Sequence, residues 1–227
     1  MKSEGILLVD KPKNKSSFYL VTLLRAITNI RKIGHCGTLD PLATGLMIML
    51  IGKNFTRLSD TFIGQDKDYE VSILFGTSTA TYDTDGDIIK SSKLIPTDND
   101  VKKAVESFQG KIMQIPPMFS AKKIGGKKLY TLAREGKEVD RQPKEVEVKT
   151  TLISYNYPYL NLHITCSSGT YIRTIANDIG ELLTCCGCVA KLTRLRVGSF
   201  HLDKCVSIDQ ITDLSFNYTN HLIYENF

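Results

Sequence analysis

The chain has 227 residues and a formal net charge of +5, with 42% hydrophobic and 23% charged residues. This composition is typical of a soluble globular protein that is long enough to bury a sizeable core. The amino terminus has too short an apolar run for a signal peptide, and no stretch approaches the length of a membrane span. Six cysteines are too few for a disulfide scaffold. We therefore expect reduced thiols and a cytoplasmic protein.

Charge is segregated along the sequence. Residues 111–150 hold ten Lys or Arg and five Asp or Glu, whereas residues 60–100 hold nine acids and three bases. Such segregation indicates a basic face for a polyanion, although a solvated loop with ordinary surface lysines fits the charges equally well.

The predicted elements alternate irregularly between strands and helices. Apolar periodicity predicts strands at 6–9, 46–51, 69–75, 146–152, 160–164 and 197–202. It predicts a first helix that is capped by Ser16 or Ser17 and runs to about residue 30, and further helices at 98–108, 129–134 and 171–183. A short last helix is expected after its cap, Ser207. Arg31 and Lys32 are expected to close the first helix, and Gly110 to stop the second. Without strict βαβ alternation, we expect an α+β fold with a mixed, mainly antiparallel central sheet flanked by helices and loops.

The segment 34–45 is rich in glycine and contains one carboxylate. Two glycines flank His35, and Asp40 precedes a proline that restricts its backbone. A carboxylate held stiffly in this way suits catalysis. An aspartate followed by proline is equally typical of a helix start, with Asp40 as the N-cap. These residues alone leave both interpretations open.

Two further patterns allow two interpretations each. Tyr69 lies on the apolar face of its predicted strand, which is also typical of a core tyrosine. Arg173 lies outside the apolar stripe of its predicted helix, and the simpler interpretation is a surface arginine. The residues of that stripe are Ile172, Ile175, Ala176, Ile179, Leu182 and Leu183.

Cys185 and Cys188 form a C-x-x-C motif. A zinc site would need a second pair of ligands at similar spacing, so we expect packed thiols and no metal site.

Six blocks of the sequence resemble the TruB-type tRNA pseudouridine synthases and occur in that family's order. They are 5–17, 34–45, 67–76, 115–136, 166–183 and 192–200, which cover nearly all of residues 5–200. The resemblance implies the pseudouridine synthase fold and a catalytic domain over residues 1–214. Members usually carry a PUA-type RNA-binding module after that point. Residues 215–227 are too few for it, so a short form with only a tail is expected.

The resemblance also implies the activity and its residues. Members convert the uridine at position 55, in the T-loop of tRNA, to pseudouridine without a cofactor. Asp40 matches the catalytic aspartate, Tyr69 the active-site tyrosine, and Arg173 the arginine that pairs with the aspartate. His35 resembles the residue that helps to extrude the target base. Whether the aspartate attacks C1′, attacks C6 or stabilises a cationic sugar stays open.

Contacts to the RNA are expected from the later blocks and from the basic segments. Leu192 is expected to lie near the uracil. The candidate phosphate contacts, which would position the RNA without reading its sequence, are Lys122, Lys123, Lys127, Lys128, Arg31 and Lys32. The expected partner is tRNA, bound by a monomer that needs no membrane and no obligate protein partner.

Two other functions compete with the enzyme. One is a tRNA-binding or tRNA-folding chaperone of the same fold, in which catalysis is secondary or lost. The other is a guide-RNA-dependent relative that works in a larger particle. Retention of the three catalytic residues argues against the first, and the short carboxyl end argues against the second.

Overall fold

The computed structural model describes residues 3–224 and combines strands with short helices. The strands are β1 (Gly5–Lys11), β2 (Ile33–Cys36), β3 (Thr44–Ile51), β4 (Lys67–Phe75), β5 (Thr77–Thr79), β6 (Ile88–Ser91), β7 (Gln109–Gln114), β8 (Lys123–Ile124), β9 (Lys127–Lys128), β10 (Lys144–Asn156), β11 (Tyr159–Cys166), β12 (Gly187–Val197) and β13 (Phe200–His201). The helices are α1 (Ser17–Thr28), α2 (Lys53–Thr56), α3 (Ser59–Ile63), α4 (Asp98–Glu106), α5 (Leu129–Arg134), α6 (Ile172–Leu182) and α7 (Ile208–Thr212). Antiparallel ladders predominate, and β3 and β12 pair in parallel, so the predicted α+β class is confirmed.

The chain divides into two compact units. The first unit runs up to Tyr69 and resumes at Leu192, and the second is Glu70–Lys191. Strands β4 and β12 both continue through the boundary. No helix within residues 3–224 has the length and apolar composition that spanning a bilayer requires.

The first unit is built around β3. This strand pairs with β1 along its length, from Gly5↔Ile51 to Lys11↔Gly45, and also with β2 and β12. Seven of its eight residues are buried, which explains its nearly continuous apolar sequence, since a strand covered on both faces does not alternate. Its side chains join a core cluster of Ile6, Leu8, Cys36, Leu46, Ile48, Leu50, Phe62, Val197 and Phe200.

Helix α1 begins where the sequence predicts and ends earlier. The hydroxyl of Ser16 accepts a hydrogen bond from the Tyr19 amide at 3.1 Å, as an N-cap does. The helix stops at Thr28 because Asn29 adopts a left-handed conformation, with φ of 57°. The predicted closure by Arg31 and Lys32 is therefore wrong, because both residues lie beyond the helix and its last turn holds Arg25 instead.

The second unit contains the antiparallel strands β7, β10 and β11, with α4 against β10 and α6 against α4. Thr97 caps α4, whose buried face is Val101, Ala104 and Val105 as predicted. The helix ends at Glu106, two residues before the predicted end. Gly110 is not its stop, because that glycine already belongs to β7.

Helix α6 confirms most of its predicted apolar stripe. Two predictions for this helix, the burial of Leu182 and the exposure of Arg173, are wrong. Ile172, Ile175, Ala176 and Ile179 are buried. Leu182 is 59% exposed, because the helix ends there and the next buried segment starts only at Cys185. Arg173 is buried rather than a surface residue.

The carboxyl-terminal elements depart most from prediction. The expected strand at 197–202 is wrong: β12 ends at Val197, Gly198 turns with φ of 55°, and only Phe200–His201 form β13. Strand β12 itself was missed, because lysine and arginine residues interrupt its apolar alternation. Ser207 caps α7 as predicted, with Gln210 completing a capping box.

The cysteines are free thiols, and all except the half-buried Cys205 are buried. Burial raises the pKa of the Cys185 and Cys188 thiols to about 11. Within residues 3–224 no cluster of three potential metal ligands occurs. Both cysteines of the C-x-x-C motif are buried, as packed thiols are.

Candidate active site

Asp40 lies in a loop, not at a helix start. Residues 37–43 connect β2 to β3 without a helix, and the Ala43 amide donates to the Asp40 carbonyl at 3.1 Å in a turn. The N-cap interpretation is therefore wrong, since no helix follows the proline and strand β3 begins at Thr44. The Asp40 loop, as we call residues 37–43, is the first component of the candidate site.

Hydrogen bonds hold the backbone on both sides of Asp40. The Ser17 hydroxyl donates to the Leu39 carbonyl at 3.0 Å and accepts from the Leu39 amide at 2.9 Å. The Asn14 amide donates to the Pro41 carbonyl at 2.8 Å. The peptide groups flanking the aspartate are thus tied to the start of α1 and to the turn before it, which fixes the position of its Cα.

A fully buried ammonium lies beneath the same loop. Lys11 is 0% exposed, and its Nζ donates to the carbonyls of Pro12, Lys15 and Pro41 at 2.9, 2.7 and 3.4 Å. Burial lowers the pKa of Lys11 to about 8, against the opposing effect of the negative charge of Asp40. Lys11 therefore contributes both hydrogen bonds and positive charge close to the aspartate.

Arg194 of β12 ties the Asp40 loop to β3. Its guanidinium is buried and donates from Nε to the Leu46 carbonyl at 2.8 Å and from Nη2 to the Gly37 carbonyl at 3.1 Å. Gly45 permits this approach: at its φ of 104°, an added Cβ would lie 2.3 Å from the Arg194 carbonyl oxygen. Only glycine fits where the two backbones meet.

His35 lies on β2, opposite Met49 of β3. Burial lowers the pKa of its imidazole, and the positive charge of Arg194 lowers it further. The imidazole is consequently neutral near pH 7. Within the described residues its buried Nδ1 has no hydrogen-bond partner, so this nitrogen has hydrogen-bonding capacity that the protein does not use.

Tyr69 and Leu192 lie in the same unit as the Asp40 loop. Tyr69 is buried on the apolar face of β4, as predicted. The preceding Asp68 makes a two-point ion pair with Arg196, at 2.7 and 2.8 Å, which fixes this end of the strand. Leu192 is also buried, and its carbonyl accepts from Thr44 Oγ1 at 3.5 Å. This hydrogen bond is at the first residue of β3, just after the loop.

Arg173 lies in the second unit, and its guanidinium contacts several oxygen atoms of that unit. It donates to the Thr81 carbonyl at 2.7 Å and to the Phe119 carbonyl at 2.8 Å. Its Nε lies 3.7 Å from the Asp83 carboxylate, and both side chains are less than a tenth exposed. The arginine is thus held at several points, as a side chain with a fixed orientation must be.

Asp83 is an ion-pair partner of Arg173 that sequence reasoning missed. Its carboxylate accepts hydrogen bonds from Thr81 Oγ1 at 2.5 Å and from the Asp85 amide at 3.1 Å. In the sequence it is the first residue of an ordinary Asp-Thr-Asp-Gly-Asp turn, and nothing in that pattern distinguishes a buried ion-pair partner from a turn aspartate. The one feature of the sequence that could have indicated a hydrogen-bonded Asp83 is the pair of threonines, Thr79 and Thr81, shortly before it.

The predicted phosphate-binding cations fall into two groups in separate units. Lys122, Lys123, Lys127 and Lys128 belong to the β8–β9 hairpin of the second unit, where all but the half-buried Lys122 are exposed. Lys122 also lines a cavity of about 310 Å³ together with Gln114, Pro116, Lys144, Val146, Gly169 and Tyr171. Arg31 and Lys32 are exposed just before β2 of the first unit.

Family models match almost the whole chain. Residues 25–172 match the TruB family pseudouridylate synthase N-terminal domain, and residues 173–226 match the tRNA pseudouridylate synthase B C-terminal domain. A "tRNA pseudouridine synthase B" of Protochlamydia amoebophila is 53% identical over 217 residues, which are 94% of this chain and 83% of that protein. The protein of the same name from Endomicrobium trichonymphae is 44% identical, over 88% of this chain and 87% of its own.

Solved structures share the fold at low sequence identity. A Cbf5–Nop10–Gar1 complex contains a chain with a TM-score of 0.73 and 22% identity, matched over 95% of this chain. An H/ACA RNP bound to a substrate RNA containing 2′-deoxyuridine gives a TM-score of 0.71 at 19% identity. This chain spans 55% of each of those two solved chains. The predicted pseudouridine synthase fold is confirmed, and with both family models matched the chain belongs to the TruB family of pseudouridylate synthases.

Proposed function

We propose that this protein isomerises the uridine at position 55 of tRNA, in the T-loop, to pseudouridine. The observation that carries the proposal is the family match over residues 25–226, with relatives named tRNA pseudouridine synthase B at 53% identity. The rigid Asp40 loop supports it, since a carboxylate held on both sides can act at a defined atom of the substrate.

The reaction rearranges one nucleotide and needs no net electron transfer. The bond between ribose C1′ and uracil N1 breaks, the base turns over, and a bond forms between C1′ and C5. The proton on C5 is released and N1 acquires one. Asp40 is the proposed carboxylate, acting as nucleophile or as the anion that stabilises a cationic sugar, and its backbone clamps keep it in place.

The other proposed roles follow the chemistry of each side chain. The Tyr69 ring stacks on the uracil, and its hydroxyl is suited to proton transfer. Arg173 is the proposed catalytic arginine, oriented by Asp83, and Leu192 is proposed to contact the base. Because the target uridine lies inside a folded loop, it must be flipped out. The neutral His35, with a free acceptor or donor at Nδ1, suits a residue that takes the place of the flipped base.

The proposed partner is tRNA, with the hairpin lysines and Arg31 and Lys32 as phosphate contacts. Action as a monomer without an obligate protein partner stays a prediction, as does the division into a catalytic domain up to residue 214 and a short tail.

Release of tritium from tRNA labelled with 5-³H-uridine tests the proposal. We expect one equivalent of tritium per tRNA, and none from a transcript in which uridine 55 is replaced by cytidine. Tight tRNA binding without tritium release would favour the chaperone function instead. Equal release from both transcripts would place the target uridine elsewhere.

A further inference from the structure

Helix α1 presents a solvent-facing side that the proposed chemistry does not use. Its buried side is Ser17, Leu20, Val21 and Leu24. Phe18, Thr22 and Arg25 are exposed and lie on the opposite side, because spacings of three and four residues bring side chains onto one helical face. We call Lys15, Phe18, Tyr19, Thr22 and Arg25 the α1 face.

Both aromatic rings of the α1 face lie next to cations. The Phe18 side chain is 60% exposed, and the Arg25 guanidinium lies 5.9 Å from its ring centroid. The Lys15 ammonium lies 4.8 Å from the centroid of Tyr19. The Phe18 ring is thus mostly open to solvent, and exposed rings beside cations are what proteins that bind single-stranded nucleic acid use to stack bases.

The charge of the surrounding segment has one sign. Between Asp10 and Asp40 the sequence contains no acidic residue, and five exposed cations lie in that interval: Lys13, Lys15, Arg25, Arg31 and Lys32. Such a surface attracts a polyanion. Flat rings beside guanidinium and ammonium groups match nucleic acid better than an acidic protein, because bases stack on them while phosphates meet the cations.

We propose that the α1 face is an RNA-binding surface, on which an unpaired base of the tRNA stacks on Phe18 while Lys15 and Arg25 contact neighbouring phosphates. The proposal rests on the proposed function, since the tRNA substrate supplies the RNA. It adds to that function a stacking contact made by side chains that the proposed chemistry does not use.

The test measures binding and chemistry separately. The test variants are Phe18→Ala and Arg25→Glu. The control for Phe18→Ala is Leu214→Ala, which truncates another exposed apolar side chain. The control for Arg25→Glu is Lys102→Glu, which reverses a charge on an exposed face of α4. Binding of an unmodified tRNA transcript is titrated at several salt concentrations. Tritium release is measured in a single turnover at saturating protein, and circular dichroism verifies folding.

We expect Kd to rise about tenfold in Phe18→Ala and in Arg25→Glu relative to their controls, and the salt dependence of log Kd to fall by about one in Arg25→Glu. The saturating rate of tritium release stays at the wild-type value. Thr22→Glu, which introduces an acid on the same face without removing a ring or a cation, weakens binding as well.

Kd values equal to those of the two controls would overturn the α1 proposal, and so would a Phe18→Ala variant that binds as the wild type does. In that event tritium release by the wild type would still support the proposed function. The reverse outcome is also informative. If the wild type releases no tritium but the α1 variants bind tRNA more weakly than their controls, the proposed isomerisation is contradicted and the RNA-binding surface is supported.

Discussion

Cations surround the Asp40 loop and also occur within the β8–β9 hairpin, and the two sets act differently. Lys11 and Arg194 are buried and donate to main-chain carbonyls around the loop. In the hairpin, Lys123 and Lys128 are exposed, and the Lys128 ammonium donates to the nearby Tyr130 hydroxyl at 3.2 Å. Buried cations therefore fix backbone geometry, whereas exposed cations remain available to a partner and are screened by salt.

The largest effect is expected where a buried cation is removed. Arg194→Met deprives the Leu46 and Gly37 carbonyls of their donors, and each buried, unsatisfied polar group costs about 1–3 kcal/mol. We expect the free energy of unfolding, measured by urea denaturation, to fall by about 2–5 kcal/mol. Lys102→Met, on an exposed surface, should change it by less than about 0.5 kcal/mol. Equal midpoints for the two variants would mean that Arg194 has no such structural role.

A second test concerns the buried pair in the other unit. Asp83→Asn removes the negative charge beside the Arg173 guanidinium, so the arginine is oriented less precisely, although the Thr81 and Phe119 carbonyls still accept from it. Misplacement of a catalytic group by about 1 Å can reduce a rate about a hundredfold, and we expect a fall of that order in kcat with little change in KM. Asp85→Asn, in the same turn, is the matched control. A similar kcat for both variants would remove Asp83 as a positioning residue.

The hairpin lysines should act through salt-dependent binding. Replacing Lys122, Lys123, Lys127 and Lys128 by alanine is expected to weaken tRNA binding about tenfold and to reduce the salt slope by about 0.7–0.9 for each phosphate that is no longer neutralised. Stability should change little, because the three exposed side chains and the half-buried Lys122 lie at the surface. The control replaces the exposed Lys93, Lys102, Lys103 and Lys149. An unchanged slope in the hairpin variant would exclude these lysines from the interface.

The smallest effect is a pH dependence at His35. Burial and Arg194 lower the pKa of this imidazole in the folded state, so below about pH 6.5 the unfolded chain binds a proton more readily than the folded chain. His35 therefore contributes to a decrease in stability as the pH falls from about 7.5 to about 5.5. His35→Gln should be destabilised less over that range in urea denaturation, with the exposed His201→Gln as control. A steeper decrease in His35→Gln would contradict the assigned direction.

Local periodicity predicted strands β1, β3, β4, β10 and β11 and helices α1, α4, α5, α6 and α7, and it missed most of the shorter elements. The starts of α1 and α7 follow from single serine caps, and β4 and α4 follow from their apolar patterns. Strand β12 could not be predicted in this way, since Arg194 is a charged residue whose burial depends on a carbonyl 148 positions away in the sequence. Long-range partners of this kind leave no mark on the local pattern.

The candidate site was predicted unevenly for the same reason. The glycine-rich segment made Asp40 a candidate beside the helix-cap interpretation, and only the family resemblance made Tyr69 and Arg173 candidate site residues. Asp83 was missed, because its partner Arg173 is 90 residues further along the chain. Lys11 was not predicted as a candidate residue, because its hydrogen bond to the Pro41 carbonyl of the Asp40 loop spans 30 positions of the sequence.

The central claim is that the Asp40 carboxylate carries out uridine isomerisation, and Asp40→Asn tests it most directly. This variant keeps the size of the side chain and removes its charge. In a single turnover with 5-³H-uridine tRNA at saturating protein, we expect no measurable tritium release from Asp40→Asn, wild-type release from the exposed control Asp209→Asn, and tRNA binding by both. Tritium release by Asp40→Asn at the wild-type rate would contradict the account.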